Sequence, residues 1–198
     1  MAENLTKEKA WELVCEHVQD EGLRRHMQAV GVAMGWYAEK LGGDPDYWEA
    51  VGIVHDFDWE VHPNLNEHPT KGADILRARG VDEATIKTVL SHYSEGTGVE
   101  REDPIDFCLL ACDEITGLMV AATLVRPSKD ITEMRLKSLK KKWKDRRFAA
   151  GVDRDHVVAV TQDFSQACFD GSLDLWNHIE NVMLAMQGRA EYLGLKGE

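Results

Sequence analysis

Residues 105–125, IDFCLLACDEITGLMVAATLV, are the longest mainly apolar run in the chain, and the adjacent acids Asp113 and Glu114 fall in its middle. Strands rarely exceed about ten residues, so a run of this length predicts a buried helix. An ionised carboxylate on such a helix costs several kcal/mol unless it meets a cation, a metal or a proton. The chain must therefore build a core around one long helix and bring a partner to its acidic pair.

The remaining segments predict more helices. Thr6 is a candidate N-cap for a first helix in which Trp11, Val14, Cys15 and Val18 recur at helical spacing, ending near Gly22. Apolar side chains keep a 3.6-residue period over residues 23–41, until LGGDPDYW breaks it. Asp46 or a neighbour can cap a third helix running to Val54. Pro69 suits the first turn of a fourth that ends before Gly80, and Asp82 caps a fifth whose apolar stripe is Ile86, Val89 and Leu90. Residues 93–104 read as a polar loop. Beyond Val125 an amphipathic, very basic segment covers residues 131–147, followed by helical patterns over 153–169 and 172–192. Alternation of period two persists nowhere, so the expected fold class is all-α, with 198 residues forming one domain and the C-terminal helices, about 131–192, packed on the preceding bundle.

Composition narrows the function. With 35 acidic and 23 basic residues the net charge is -12, an acidic surface that disfavours wholesale binding to nucleic acid. Cys15, Cys108, Cys112 and Cys168 include no Cys-x-x-Cys pair and read as small core residues of a reducing compartment. The N-terminus lacks the pattern of a signal peptide, and no segment reads as a membrane span. The expectation is a cytoplasmic protein without membrane association, of open oligomeric state.

Three core-facing helical stripes each carry an ionisable group. His26 shares its face with Val30, Ala33 and Tyr37. His55 follows Trp48 and Val51 at offsets of 7 and 4, and Asp113 lies with Leu109, Thr116 and Val120. The simplest way to satisfy all three is one ion between the helices, and imidazole with carboxylate suits a borderline divalent transition metal.

His26, the adjacent pair His55-Asp56, and Asp113 resemble the H…HD…D signature of the HD-domain superfamily of metal-dependent phosphohydrolases, over about residues 20–125. The resemblance implies an all-helical fold in which these four residues bind a divalent metal. EHPTKGADIL resembles a His-Pro-x-x-Gly element whose His68 would reach the metal centre, and His92 in VLSHYSEG resembles a later ligand histidine. The cyclic-dinucleotide phosphodiesterases of the family carry a His-His pair and a Gly-Tyr-Pro element, where this chain has His92-Tyr93 and no such element. DEITGLMVAATLVRPSK and KKKWKDRRFAAGVDRD resemble a bacterial group of predicted HD-domain hydrolases.

The resemblance implies one or two ions (Fe, Mn, Zn, Ni or Co, with Mg possible). His26, His55, Asp56 and Asp113 would surround one, and His68, His92 and a bridging Asp56 the other. The expected activity is hydrolysis of a nucleotide or other small phosphorylated substrate by a metal-activated water. Two alternatives stay open: di-iron oxygen chemistry on the same fold, and a metal-stabilised binding module without turnover.

Other candidates surround this set. Asp58 is the acid nearest in sequence to the ligands and a candidate proton donor to the leaving oxygen, and Lys71 would approach the phosphate as in related enzymes. Arg126 and Lys129 directly follow the Asp113 helix as candidate phosphate clamps. Residues 137–147 contain seven basic residues and one acidic, a local +6 that reads either as a solvated helix face or as a rim steering anionic substrate. Trp59 is the aromatic residue closest to the site. His17, His62, His156 and His178 have no place in the pattern and read as packing or surface residues.

Overall fold

The structure, a computed structural model, describes residues 5–197, and these form helices with no strand among them. Two compact units divide the chain, Met1–Leu109 and Leu110–Glu198. The boundary falls inside a continuous helix, so neither composition nor a linker marks it in the sequence.

The first unit begins with α1 (Lys7–His17), capped by Thr6, and α2 (Glu21–Leu41), capped by Asp20. α1 stops earlier than its apolar spacing suggests, because Val18 is extended and the Asp20 carboxylate accepts the Leu23 N–H to start the next helix. Asp44, not Asp46, caps α3 (Pro45–Val54). Pro69 is the N-cap of α4 (Thr70–Ala78), one position before the expected first turn, and Asp82 caps α5 (Glu83–Ser91). Within the expected polar loop lies one helical turn, α6 (Ser94–Thr97), closed by Gly98 in the left-handed region.

Two glycines bring α2 and α3 together. A Cβ on Gly52 would lie 2.7 Å from the backbone of Gly31, and one on Gly31 would lie 2.7 Å from the Glu49 carbonyl. Only glycine lets the helices approach so closely, and His26 and His55 lie within two turns of that crossing. Met27, Ile53, Val54 and Phe57 carry the helices into a buried cluster with Val14, Leu76, Ile86 and Val89.

The long apolar run is α7 (Pro104–Leu124). It is the single helix among the described residues long and apolar enough to cross a membrane, and 61% of that stretch is buried within the fold. Its first turn holds α5 in place: buried Asp106 accepts the Thr88 hydroxyl (2.6 Å) and the N–H groups of Glu102 and Asp103.

In the second unit the predicted basic helix is split. A 3₁₀ turn (Ile131–Glu133) precedes two extended residues, Met134 and Arg135, and only then α8 (Leu136–Lys144). α9 (Arg154–Phe169) and α10 (Leu175–Gly188) start at Asp153 and Asp174, whose carboxylates accept backbone N–H groups, so α10 begins later than its periodicity suggests. Buried Arg154 donates to the carbonyls of Trp143, Asp145, Phe148, Ala149 and Val152 and folds the 145–153 connection around its guanidinium. None of the four cysteines forms a disulfide, and burial pushes the Cys168 thiol up to about 11.

Candidate metal centre

α3 ends where the site begins. The C-cap of α3 is His55, fully buried, and its Nδ1–H donates to the Gly52 carbonyl one turn back (2.8 Å). That bond turns Nε2 toward Asp56, whose Oδ2 lies 3.5 Å away. His26 of α2 presents its Nε2 to the same oxygen at 4.0 Å, and the two imidazole rings meet edge to face at 5.4 Å. His26, His55 and Asp56 each place one donor atom within 4.8 Å of the others.

The other oxygen of Asp56 faces a second pair. Oδ1 lies 3.3 Å from Nε2 of His68 and 3.6 Å from Nε2 of His92, and these three donors also share a 4.8 Å shell. His92 is the C-cap of α5, and its Nδ1–H donates to the Val89 carbonyl. Nδ1–H of His68 donates to Oδ1 of Asp58 at 2.8 Å. Both rings are thus fixed in the tautomer that leaves Nε2 as an acceptor.

Those two acceptors lie 3.1 Å apart and both face a carboxylate oxygen. Lone pairs so arranged repel unless a positive charge sits among them. The same demand raises the affinity of His68 for a proton: burial is the largest influence and pulls its pKa down, but Asp56 and Asp58 together push it up to about 9. Imidazole nitrogens and a carboxylate, oriented from behind and converging on a site that favours positive charge, fit a divalent transition metal.

Asp58, the candidate proton donor, stands behind His68. It is fully buried, with Oδ1 on His68 and Oδ2 accepting the Gly72 N–H (2.9 Å), so it orients a histidine and caps the first turn of α4. Both oxygens are engaged, and a proton donor to a leaving group needs one facing the substrate. Gly72 is required here, because a Cβ would stand 2.6 Å from the Asp58 carboxyl carbon. The His-Pro-x-x-Gly spacing thus has a local cause: His68 and Gly72 grip the same carboxylate. Lys71, beside Gly72, is exposed.

The Trp59 ring stands edge-on to His68 at 4.9 Å and forms part of the wall behind it. Arg101, which the sequence did not single out, donates to the Ser91 carbonyl and the Ser94 hydroxyl on either side of His92. Glu60 anchors the chain after His55-Asp56 by accepting the N–H groups of Gln19 and Asp20. Single arginines and loop acids carry no spacing signal, so only the fold identifies these two.

In the second unit Asp113 and Glu114 are half-buried on α7, and Glu114 faces His156 of α9 at 3.5 Å. Arg126, one of the clamp candidates, donates one Nη to the carbonyl and carboxylate of Glu133 (3.3 and 3.2 Å). Lys129 is exposed on a left-handed backbone. The remaining histidines take other partners: His17 the Leu13 carbonyl, His62 Glu67, and His178 the Ala111 carbonyl.

A match to the HD domain family covers residues 23–116, which contain His26, His55, Asp56, His68, His92 and Asp113. The chain is 26% identical over 147 residues to ribonuclease Y of Thermotoga petrophila and of Thermotoga maritima, an alignment covering 72% of this chain. It spans only 28% of the length of those relatives. No solved structure matches. Residues 23–116 are therefore an HD domain, the domain type of a superfamily of metal-dependent phosphohydrolases.

Proposed function

We propose that the chain is a phosphohydrolase with two metal positions bridged by Asp56, acting on a nucleotide or another small phosphate ester. The observation that carries this reading is the division of Asp56, with Oδ2 toward His26 and His55 and Oδ1 toward His68 and His92. A carboxylate used on both sides by histidines whose Nδ1 atoms are already committed suits a pair of ions better than one. The sequence pattern adds Asp113 to the His26 and His55 side. When bound, the ions lower the pKa of a water toward 7 and offset the charge that develops on the phosphoryl oxygens. The chain holds the donors rigid: Gly52, Val89 and Asp58 each accept from one imidazole, so little reorganisation accompanies loading. Lys71 and Lys129, both exposed, are the candidate contacts to substrate phosphate. The curated relatives are ribonucleases by name, which puts phosphodiesters beside phosphomonoesters among the substrates to assay.

The test is metal per chain after anaerobic purification, saturation and desalting, followed by panels of phosphomonoesters, nucleotides and phosphodiesters with that metal restored. The expected result is close to two ions and metal-dependent release of phosphate or opening of a diester, both lost in His55→Ala. One ion at saturation, unchanged in His68→Ala and His92→Ala, would overturn the bridged pair. Turnover absent across the panel with tight ligand binding would select the binding module, and iron-dependent oxygen consumption would select oxygen chemistry.

A further inference from the structure

α8 carries a concentration of cations that form no ion pair with a carboxylate among the described residues. Elsewhere the lysines Lys7, Lys87 and Lys196 are paired with acids at 2.6–2.8 Å, as the acid excess of the chain favours. On α8, Lys137, Lys140, Lys141, Lys142 and Lys144 have no ion pair among the described residues, whereas Arg146 and Arg147 just beyond it meet Asp155 and Asp145. Lys137, Lys141 and Lys144 are exposed at spacings of four and three, which puts them in one stripe along a helix about 13 Å long. Such clustering of like charge costs stability through repulsion and contributes nothing to packing.

The opposite side of α8 is already used. Leu139 is 1% exposed, and Trp143 is half-buried, meeting Trp176 of α10 edge to face at 5.7 Å. Lys140 lies over the Trp176 ring at 4.9 Å and Lys142 over Phe148 at 4.0 Å. No apolar face is left to enter a lipid layer, so α8 lacks what an interfacial membrane helix needs. What it offers outward is a row of cations at helical spacing, the chemistry that tracks the backbone of a single strand.

We infer that the lysine stripe of α8, Lys137, Lys141 and Lys144, is a docking surface for the phosphate backbone of single-stranded nucleic acid. The net charge of the chain opposes polyanion binding over most of its surface, so the footprint centres on this helix and spans a few nucleotides. Binding is accordingly weak, sequence-tolerant and steeply dependent on salt. It needs no metal, and the inference stands apart from the hydrolase reading.

The test is fluorescence anisotropy of a labelled single-stranded oligouridylate against the full chain over a salt series, with His55→Ala separating binding from cleavage. The expected result is binding at low salt that survives in His55→Ala. Lys137→Gln/Lys141→Gln/Lys144→Gln should weaken it about tenfold or more. The slope of log K against log salt should fall by about 2, since each phosphate that a lysine neutralises on a single strand contributes about 0.7. The triple variant should unfold at or slightly above the wild-type urea midpoint, and Lys40→Gln, a lysine outside the stripe, should change neither affinity nor salt slope. Absence of binding at low salt, or undiminished binding in the triple variant, would overturn the inference. So would self-association or retention on phosphatidylserine vesicles that depends on the stripe without oligouridylate binding.

Discussion

At the scale of single residues, partners decide what an ionisable group does. Asp58 is as acidic in sequence as Glu60 or Glu67, but its two oxygens are committed to His68 and Gly72. Asp58→Asn leaves one oxygen for two donors and should weaken metal at the His68 and His92 side about 10- to 100-fold, leaving the His26 and His55 side loaded. Titration calorimetry with one transition metal tests this, and equal loss at both positions would count against the division at Asp56. His178 shows the opposite use of a buried imidazole. Burial pulls its pKa down to about 4, against the pull upward of the Ala111 carbonyl that its ring N–H meets. The unfolded chain therefore takes up the proton first, near pH 6.5. Stability that is complete above that pH falls as pH drops toward 4, by about 2 kcal/mol between pH 7 and pH 5. Urea unfolding at those two pH values should show that loss in wild type beyond the loss in His178→Gln, whose amide can still donate to Ala111.

At the scale of helices, backbone contact sets the site. The α2–α3 crossing depends on Gly31 and Gly52, and the turn that ends α3 delivers His55 directly from it. Gly52→Ala should destabilise the chain by about 1–3 kcal/mol and weaken metal binding as well, because a methyl at 2.7 Å from the Gly31 backbone forces the helices apart. Gly117→Ala on α7 is the contrasting case. Its Cβ would meet only Val152 at an ordinary 3.8 Å, so it should stabilise by about 0.5–1 kcal/mol through the helix preference of alanine. Paired denaturation curves and metal titrations check both, and a Gly52→Ala chain with wild-type stability would remove the crossing as the cause of the geometry. Periodicity reveals that α2 and α3 are helices. It says nothing of which glycines touch, since either could serve as an ordinary small residue in a helix.

At the scale of the molecule, the metal is expected to act as a ligand of the folded state. Imidazoles and Asp56 are brought together only by folding, so loading at about 100 times the dissociation constant should stabilise by about 2.7 kcal/mol. Calorimetric scans of metal-loaded and chelator-treated chain should differ by several degrees, and in Asp56→Ala the difference should vanish. With two compact units, the shift should appear in the transition that reports the first of them, and a shift confined to the other would contradict the assignment.

The sequence by itself determined the helical class, the caps Thr6 and Asp82, and the histidines and acids that could hold an ion. A 3.6-residue period and an Asp or Thr before a helix are local properties, and a signature of side chains on core faces can be read without knowing their neighbours. The tertiary structure decided what lies far along the chain: the sharing of Asp56 between two histidine pairs, the capture of Asp58 by His68 and Gly72, the engagement of Arg126 by Glu133, and the division of the chain within α7. Each depends on which oxygen or nitrogen another element presents at about 3 Å, a distance set by packing and not by spacing in sequence.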